Sequence, residues 1–127
     1  MLFRREEPFR FTFGDPIKGT FRILQIDGIS GHTKEAPVLI LDLSPNGVKF
    51  STHINLPIEK KRFLVELTFV LNEKQITMLA EPKWKKLGAH SSLTYGLVGL
   101  DNIETKKEII DELKEYSRRT HQTKLKK

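Results

Sequence analysis

Residues 41–50 read LDLSPNGVKF, an apolar run interrupted by Asp42 and Ser44 and then broken by Pro45, Asn46 and Gly47. Ser44-Pro45-Asn46-Gly47 has the residue types of a type I turn, with Ser first, Pro pre-set second, Asn third and Gly fourth. The residues before it suit a strand. On extended backbone Leu39, Leu41 and Leu43 fall on one face, and Val38, Ile40, Asp42 and Ser44 on the other. Asp42 and Ser44 then point together, so the stretch reads either as a well-formed local turn or as one side of a binding site.

The flanking sequence is also strand-like. From Gly19 to Leu100, "GTFRILQID", "APVLILDLS", "GVKFST", "KKRFLVELTFVL", "QITMLAEPKWKKL" and "LTYGLVGL" are separated by turn-forming residues at regular spacing. That pattern predicts an antiparallel sheet or barrel. In the fourth run Phe63, Val65, Leu67, Phe69 and Leu71 alternate with Leu64, Glu66, Thr68 and Val70, which marks the first set as core. The period changes after Leu100. In "TKKEIIDELKEYSRR" Ile109, Ile110, Leu113 and Tyr116 make a helical stripe, Thr105 and Glu108 have capping-box spacing, and Arg118 and Arg119 suit a helix C-terminus.

A chain of 127 residues is long enough for one core, and its 38% hydrophobic and 30% charged residues are ordinary for a globular protein. No apolar run approaches the roughly 18 residues of a membrane helix, so no membrane insertion is expected. There is no cysteine, hence no disulfide and no thiolate metal site, and the N-terminal residues lack the apolar segment of a signal peptide. A cytoplasmic location is the expectation. The net charge of +6 is unevenly spread, because residues 118–127 hold five of the 22 basic residues and none of the 16 acidic ones, leaving 17 against 16 elsewhere. A nearly neutral body of this kind is a poor polyanion binder, and neither DNA nor RNA is expected as a partner.

His32, His53, His90 and His121 are far apart and have no carboxylate or cysteine at ligand spacing, so no metal site is assigned. No nucleophile stands at recognisable spacing from a base and an orienting group, and the expectation is a protein that is not an enzyme. Trp84, between lysines in "PKWKK", reads as a core or rim packing residue, with stacking on a base as the alternative. Chemistry suited to a ligand is found in two places. In the opening stretch a carboxylate can accept two hydrogen bonds from the N1 and N2 edge of a guanine, a serine hydroxyl can donate to phosphate, and a glycine lets a ligand approach the backbone. In "FRREEPFRF", Arg4, Arg5 and Arg10 surround an acidic pair and a proline. Arginine can grip guanine O6 and N7, stack on a base and pair bidentately with phosphate.

Together, the arginine-rich N-terminal segment, the D-x-S-x-x-G motif of Asp42, Ser44 and Gly47, later strands carrying Trp84 and Tyr95-Gly96, and the terminal helix resemble the PilZ domain over about residues 4 to 119. The resemblance implies a mainly all-β fold, a six-stranded antiparallel β-barrel with a C-terminal α-helix. The chain then divides into an N-terminal arm at 1–18, the barrel and helix at 19–119, and a basic disordered tail at 120–127. It also implies a receptor for cyclic di-GMP, a signalling ligand and not a cofactor, with Arg4, Arg5, Arg10, Asp42, Ser44 and Gly47 as its ligand-binding residues. Ligand would rearrange the arm and change docking to a protein partner. One departure stands out: the family's arm reads R-x-x-x-R, whereas four residues separate Arg5 from Arg10, and Glu6 and Glu7 place negative charge beside a dianionic ligand. The alternative is a degenerate PilZ-like adaptor that binds a protein partner and no nucleotide. An edge strand or the helix offers a surface on which two copies could pair as a homodimer.

Overall fold

The computed structural model describes residues 10–31 and 33–125, with side chains as far as residue 120. Arg4 and Arg5 lie outside the described residues. Strand β1 (Phe11–Ile26) is followed by the two-residue β2 (Ile29–Ser30), then β3 (Ala36–Ser44), β4 (Gly47–Thr52), β5 (Phe63–Leu71), β6 (Lys74–Leu87), β7 (Leu93–Gly99) and the helix α1 (Ile103–Leu125). All pairings are antiparallel. The order β1-β3-β4-β7-β6-β5 closes on itself because β1 also pairs with β5, and β2 is a short appendage on β1. The expected six-stranded barrel with a C-terminal helix is therefore present. Closure is possible because β1 is long: residues 11–21 pair with β3 and residues 19–26 with β5. β1 starts eight residues before Gly19, so residues 11–18, assigned to the arm on sequence, have strand structure.

The interior is filled as the alternation in β5 requires. Phe63, Val65, Leu67, Phe69 and Leu71 are all buried, together with Phe21, Ile40, Phe50, Ile76, Met78 and Tyr95. Each such side chain contributes about 1.5–3 kcal/mol by leaving water. Tyr95 is also an anchor: its hydroxyl accepts from the Leu56 N–H and donates to the Ile54 carbonyl, both at 2.7 Å. Burial pushes its phenol above the ordinary range, partly offset by the Leu56 hydrogen bond.

Helix α1 covers one end of the barrel with the predicted stripe. Ile109 and Leu113 are fully buried, and Tyr116 stands edge-on to both Phe11 and Phe13 at centroid distances of 5.3 Å. Its start differs from the expected capping box. Asn102 caps the helix, its Oδ1 accepting from the Thr105 N–H at 2.9 Å, which places Thr105 inside the first turn. The helix also runs past Arg119 to Leu125, and Arg118 and Arg119 pair with Glu115 instead of sitting at the helix end. Among the described residues no helix is long and apolar enough to cross a membrane.

Candidate functional site

The opening stretch forms the β3–β4 hairpin, with Ser44 paired to Gly47 across Pro45 and Asn46. Both turn residues have negative φ, as a type I turn requires. The Ser44 hydroxyl donates to the Gly47 carbonyl at 3.4 Å, and the Asn46 carbonyl accepts from the Gly99 N–H at 2.8 Å, which ties the turn to β7. Gly47 has a packing reason: a Cβ there would lie 2.8 Å from the Leu97 carbonyl oxygen. The turn itself is well formed, but Asp42 pairs with Lys49 and Arg10 and not with a local amide, so a site at this hairpin has to stand on the surroundings of Asp42.

Asp42 and Ser44 do share a face, but not the face of Val38 and Ile40. The register slips between Ile40 and Asp42 against β4, and between Thr12 and Ile17 against β1. The slip shifts the alternation by one residue at Leu41. Val38, Ile40 and Leu43 consequently all belong to the core, while Asp42 and Ser44, themselves buried, line a groove in the outer surface. Unbroken period-2 alternation would have put Asp42 among the apolar core side chains; the bulge leaves it largely buried but beside the cationic ends of Lys49 and Arg10.

Across that outer surface the pairing brings five strands into one row: Thr12 of β1 opposite Asp42, Asp42 opposite Lys49 of β4, Lys49 opposite Gly96 of β7, and Gly96 opposite Trp84 of β6. Gly96 is the seat of Trp84, because a Cβ at Gly96 would lie 2.2 Å from the indole ring. A second slip, between Pro82 and Trp84, puts Lys83 and Trp84 side by side on the groove wall. The resulting groove has a volume of about 430 Å³ and is lined by Arg10, Asp42, Ser44, Asn46, Lys49, Lys83 and Trp84, among others. That size lies within the range of small-molecule sites.

Asp42 is the most constrained group in the groove. Its side chain is only 9% exposed, and Oδ2 lies 3.3 Å from Lys49 Nζ and 3.7 Å from an Arg10 guanidinium nitrogen. Oδ1 is buried and has no hydrogen-bond partner among the described residues. A buried polar atom in this state costs free energy until something donates to it. Lys83 is held 3.3 Å from Glu81, which also pairs with Arg62. Burial raises the Glu81 carboxyl, but bonds from Arg62 and Lys83 outweigh it and hold the group below the usual carboxylate range. The groove thus combines three cations, one half-satisfied carboxylate and an exposed aromatic face.

Of the residues expected to bind ligand, the structure brings Arg10, Asp42, Ser44 and Gly47 together at this groove. Lys49, Lys83 and Asn46 line it without having been singled out on sequence. Lys49 had a legible signal, since counting back two residues on each side from the Ser44–Gly47 pair places it opposite Asp42. Lys83 had none, because the slip at that position cannot be read from residue types. Trp84 is a rim residue, as expected, with 44% of its surface exposed.

No family model matches the chain, and no curated protein does. Among solved structures, it is similar to the crystal structure of the PilZ domain of CeSA from a cellulose-synthesizing bacterium, with a TM-score of 0.54 and 16% sequence identity over 80% of this chain and 91% of that one. At that identity the likeness concerns architecture. The closed six-stranded antiparallel barrel, with its strand order and terminal helix, is a PilZ-like fold.

Proposed function

We propose that the chain is a cytoplasmic receptor for cyclic di-GMP, which acts by binding and not by turnover. The observation that carries this reading is Asp42: a carboxylate nine-tenths buried on the D-x-S-x-x-G hairpin, with Oδ1 lacking a donor among the described residues, in a groove whose other described charged lining residues are cations. A guanine presents two parallel N–H donors at its N1 and N2 edge, which is what a carboxylate with one unsatisfied oxygen lacks. In this account Asp42 accepts from that edge, Arg5 and Arg10 grip and stack on guanines, and Arg4 and Ser44 contact phosphate. Gly47 keeps the turn low against β7. Arg10 immediately precedes β1, so ordering the arm over the ligand requires no change in the barrel. Ligand shifts the arm by its differential affinity for the closed position, which alters docking to a protein partner.

Trp84 is the chain's single tryptophan and stands on the groove wall, so its emission reports occupancy. Titration with cyclic di-GMP should give a saturable emission change matched by retention in equilibrium dialysis, with GTP and cyclic GMP binding more weakly. Neither signal up to about 100 µM ligand, a free energy near 5.5 kcal/mol, would sink the reading. The adaptor reading, motivated by the four-residue spacing of Arg5 and Arg10 and by Glu6 and Glu7, would then stand in its place. On that reading, deleting Glu7 to restore R-x-x-x-R should create binding.

A further inference from the structure

We infer that Lys49 is a specificity-determining residue that pairs with Asp42 and transfers to the ligand's anionic group when a neutral N–H edge takes the carboxylate. The inference rests on the groove being the ligand site proposed above. Lys49 and Asp42 are direct cross-strand partners, and the ammonium lies 3.3 Å from Oδ2. A donor edge that satisfies Oδ1 must share or take Oδ2, because a planar pair of N–H groups engages both carboxylate oxygens. The displaced ammonium has nowhere else to pair on its own row. Its other cross-strand neighbour is Gly96, which has no side chain, and beyond that lies the Trp84 ring, which has no carboxylate. A lysine on a flexible four-carbon stem is therefore left beside the space over Gly96, which lies two strand spacings, roughly 10 Å, from Asp42.

The consequence is a linkage between two features of the ligand. Free phosphate finds Lys49 already paired, and a nucleoside displaces it without supplying a new partner. A guanine joined to phosphate does both. The groove should therefore discriminate by covalent connection, preferring nucleotide to the sum of its parts.

The test compares wild type, Lys49→Met, Lys49→Gln and Lys114→Met, the last a charge control on the exposed side of α1. Each is titrated with guanosine, GMP, cyclic di-GMP and inorganic phosphate at two salt concentrations, and thermal melting verifies folding. Both Lys49 variants should bind cyclic di-GMP and GMP about tenfold more weakly with a shallower salt dependence, while guanosine binding stays level or rises. Lys114→Met should match wild type. Equal losses for guanosine and nucleotides, or unchanged nucleotide affinity and salt slope, would overturn the hand-over while leaving the receptor reading intact. GMP binding that depends on Lys49 without cyclic di-GMP binding would do the reverse. Binding of none of the probes would remove both.

Discussion

Two partly buried aspartates on the barrel surface have opposite situations. Asp101, between β7 and α1, has both carboxylate oxygens within 3.0 and 3.1 Å of one backbone donor, the Leu79 N–H of β6. Its partner belongs to the sheet and cannot leave without unfolding. Asp42 is the more deeply buried of the two, but its partners are the ends of two long cationic side chains, and Oδ1 has none among the described residues. The contrast separates a carboxylate that completes the fold from one that the fold leaves incomplete. Only the second has free energy to gain from a ligand.

Exchanging the two residues in turn tests that separation, and Asp42→Ala should have the largest effect. Truncating one partner of a desolvated, hydrogen-bonded charge typically costs about 2–5 kcal/mol, so cyclic di-GMP affinity in calorimetry should fall about 30-fold or more. The urea midpoint of the same variant should move little, less than about 1 kcal/mol, because Lys49 and Arg10 are exposed enough to be hydrated alone. Asp101→Ala should show the mirror image. It leaves the Leu79 N–H without its acceptor, at about 1–3 kcal/mol of stability by urea unfolding, with ligand affinity unchanged within about twofold.

Gly96→Ala sharpens the comparison from the groove side. The added methyl would lie 2.2 Å from the indole, so Trp84 must leave its seat, at about 1–3 kcal/mol of stability with a shift in tryptophan emission. The smallest effect is a pH dependence. Burial, partly offset by the Leu79 hydrogen bond, pushes the Asp101 carboxyl above its ordinary 3.8. A raised carboxyl contributes stability that is fully present below the ordinary value and lost as pH rises through the folded one. Wild type should therefore lose stability relative to Asp101→Asn as pH rises from below the ordinary 3.8 through the raised folded value, read from urea midpoints at fixed salt. A constant difference would show that burial does not tune this group.

Much of this was legible in the sequence, for identifiable reasons. Strict alternation in β5 gave its core face, because one side of that strand meets only apolar neighbours. The stripe of Ile109, Leu113 and Tyr116 located α1, and Ser44-Pro45-Asn46-Gly47 gave the turn. What residue types could not reveal were the register slips. The one at Leu41 takes Asp42 out of the apolar core and into the groove, and the one beside Lys83 sets Trp84 over Gly96, and both depend on how neighbouring strands pair. The helix start was misplaced by three residues because Asn102 outcompetes Thr105 as a cap once the chain leaves β7. The motif residues were visible as residue types, but the cations around them are gathered by pairing across five strands.

Asp42, and not Asp101, is the carboxylate proposed to receive the ligand. The most direct measurement is a calorimetric titration of cyclic di-GMP into wild type, Asp42→Ala and Asp101→Ala under identical conditions. The account predicts binding to wild type and Asp101→Ala and loss of binding in Asp42→Ala. Equal affinity for wild type and Asp42→Ala, or no heat with any of the three, would contradict it.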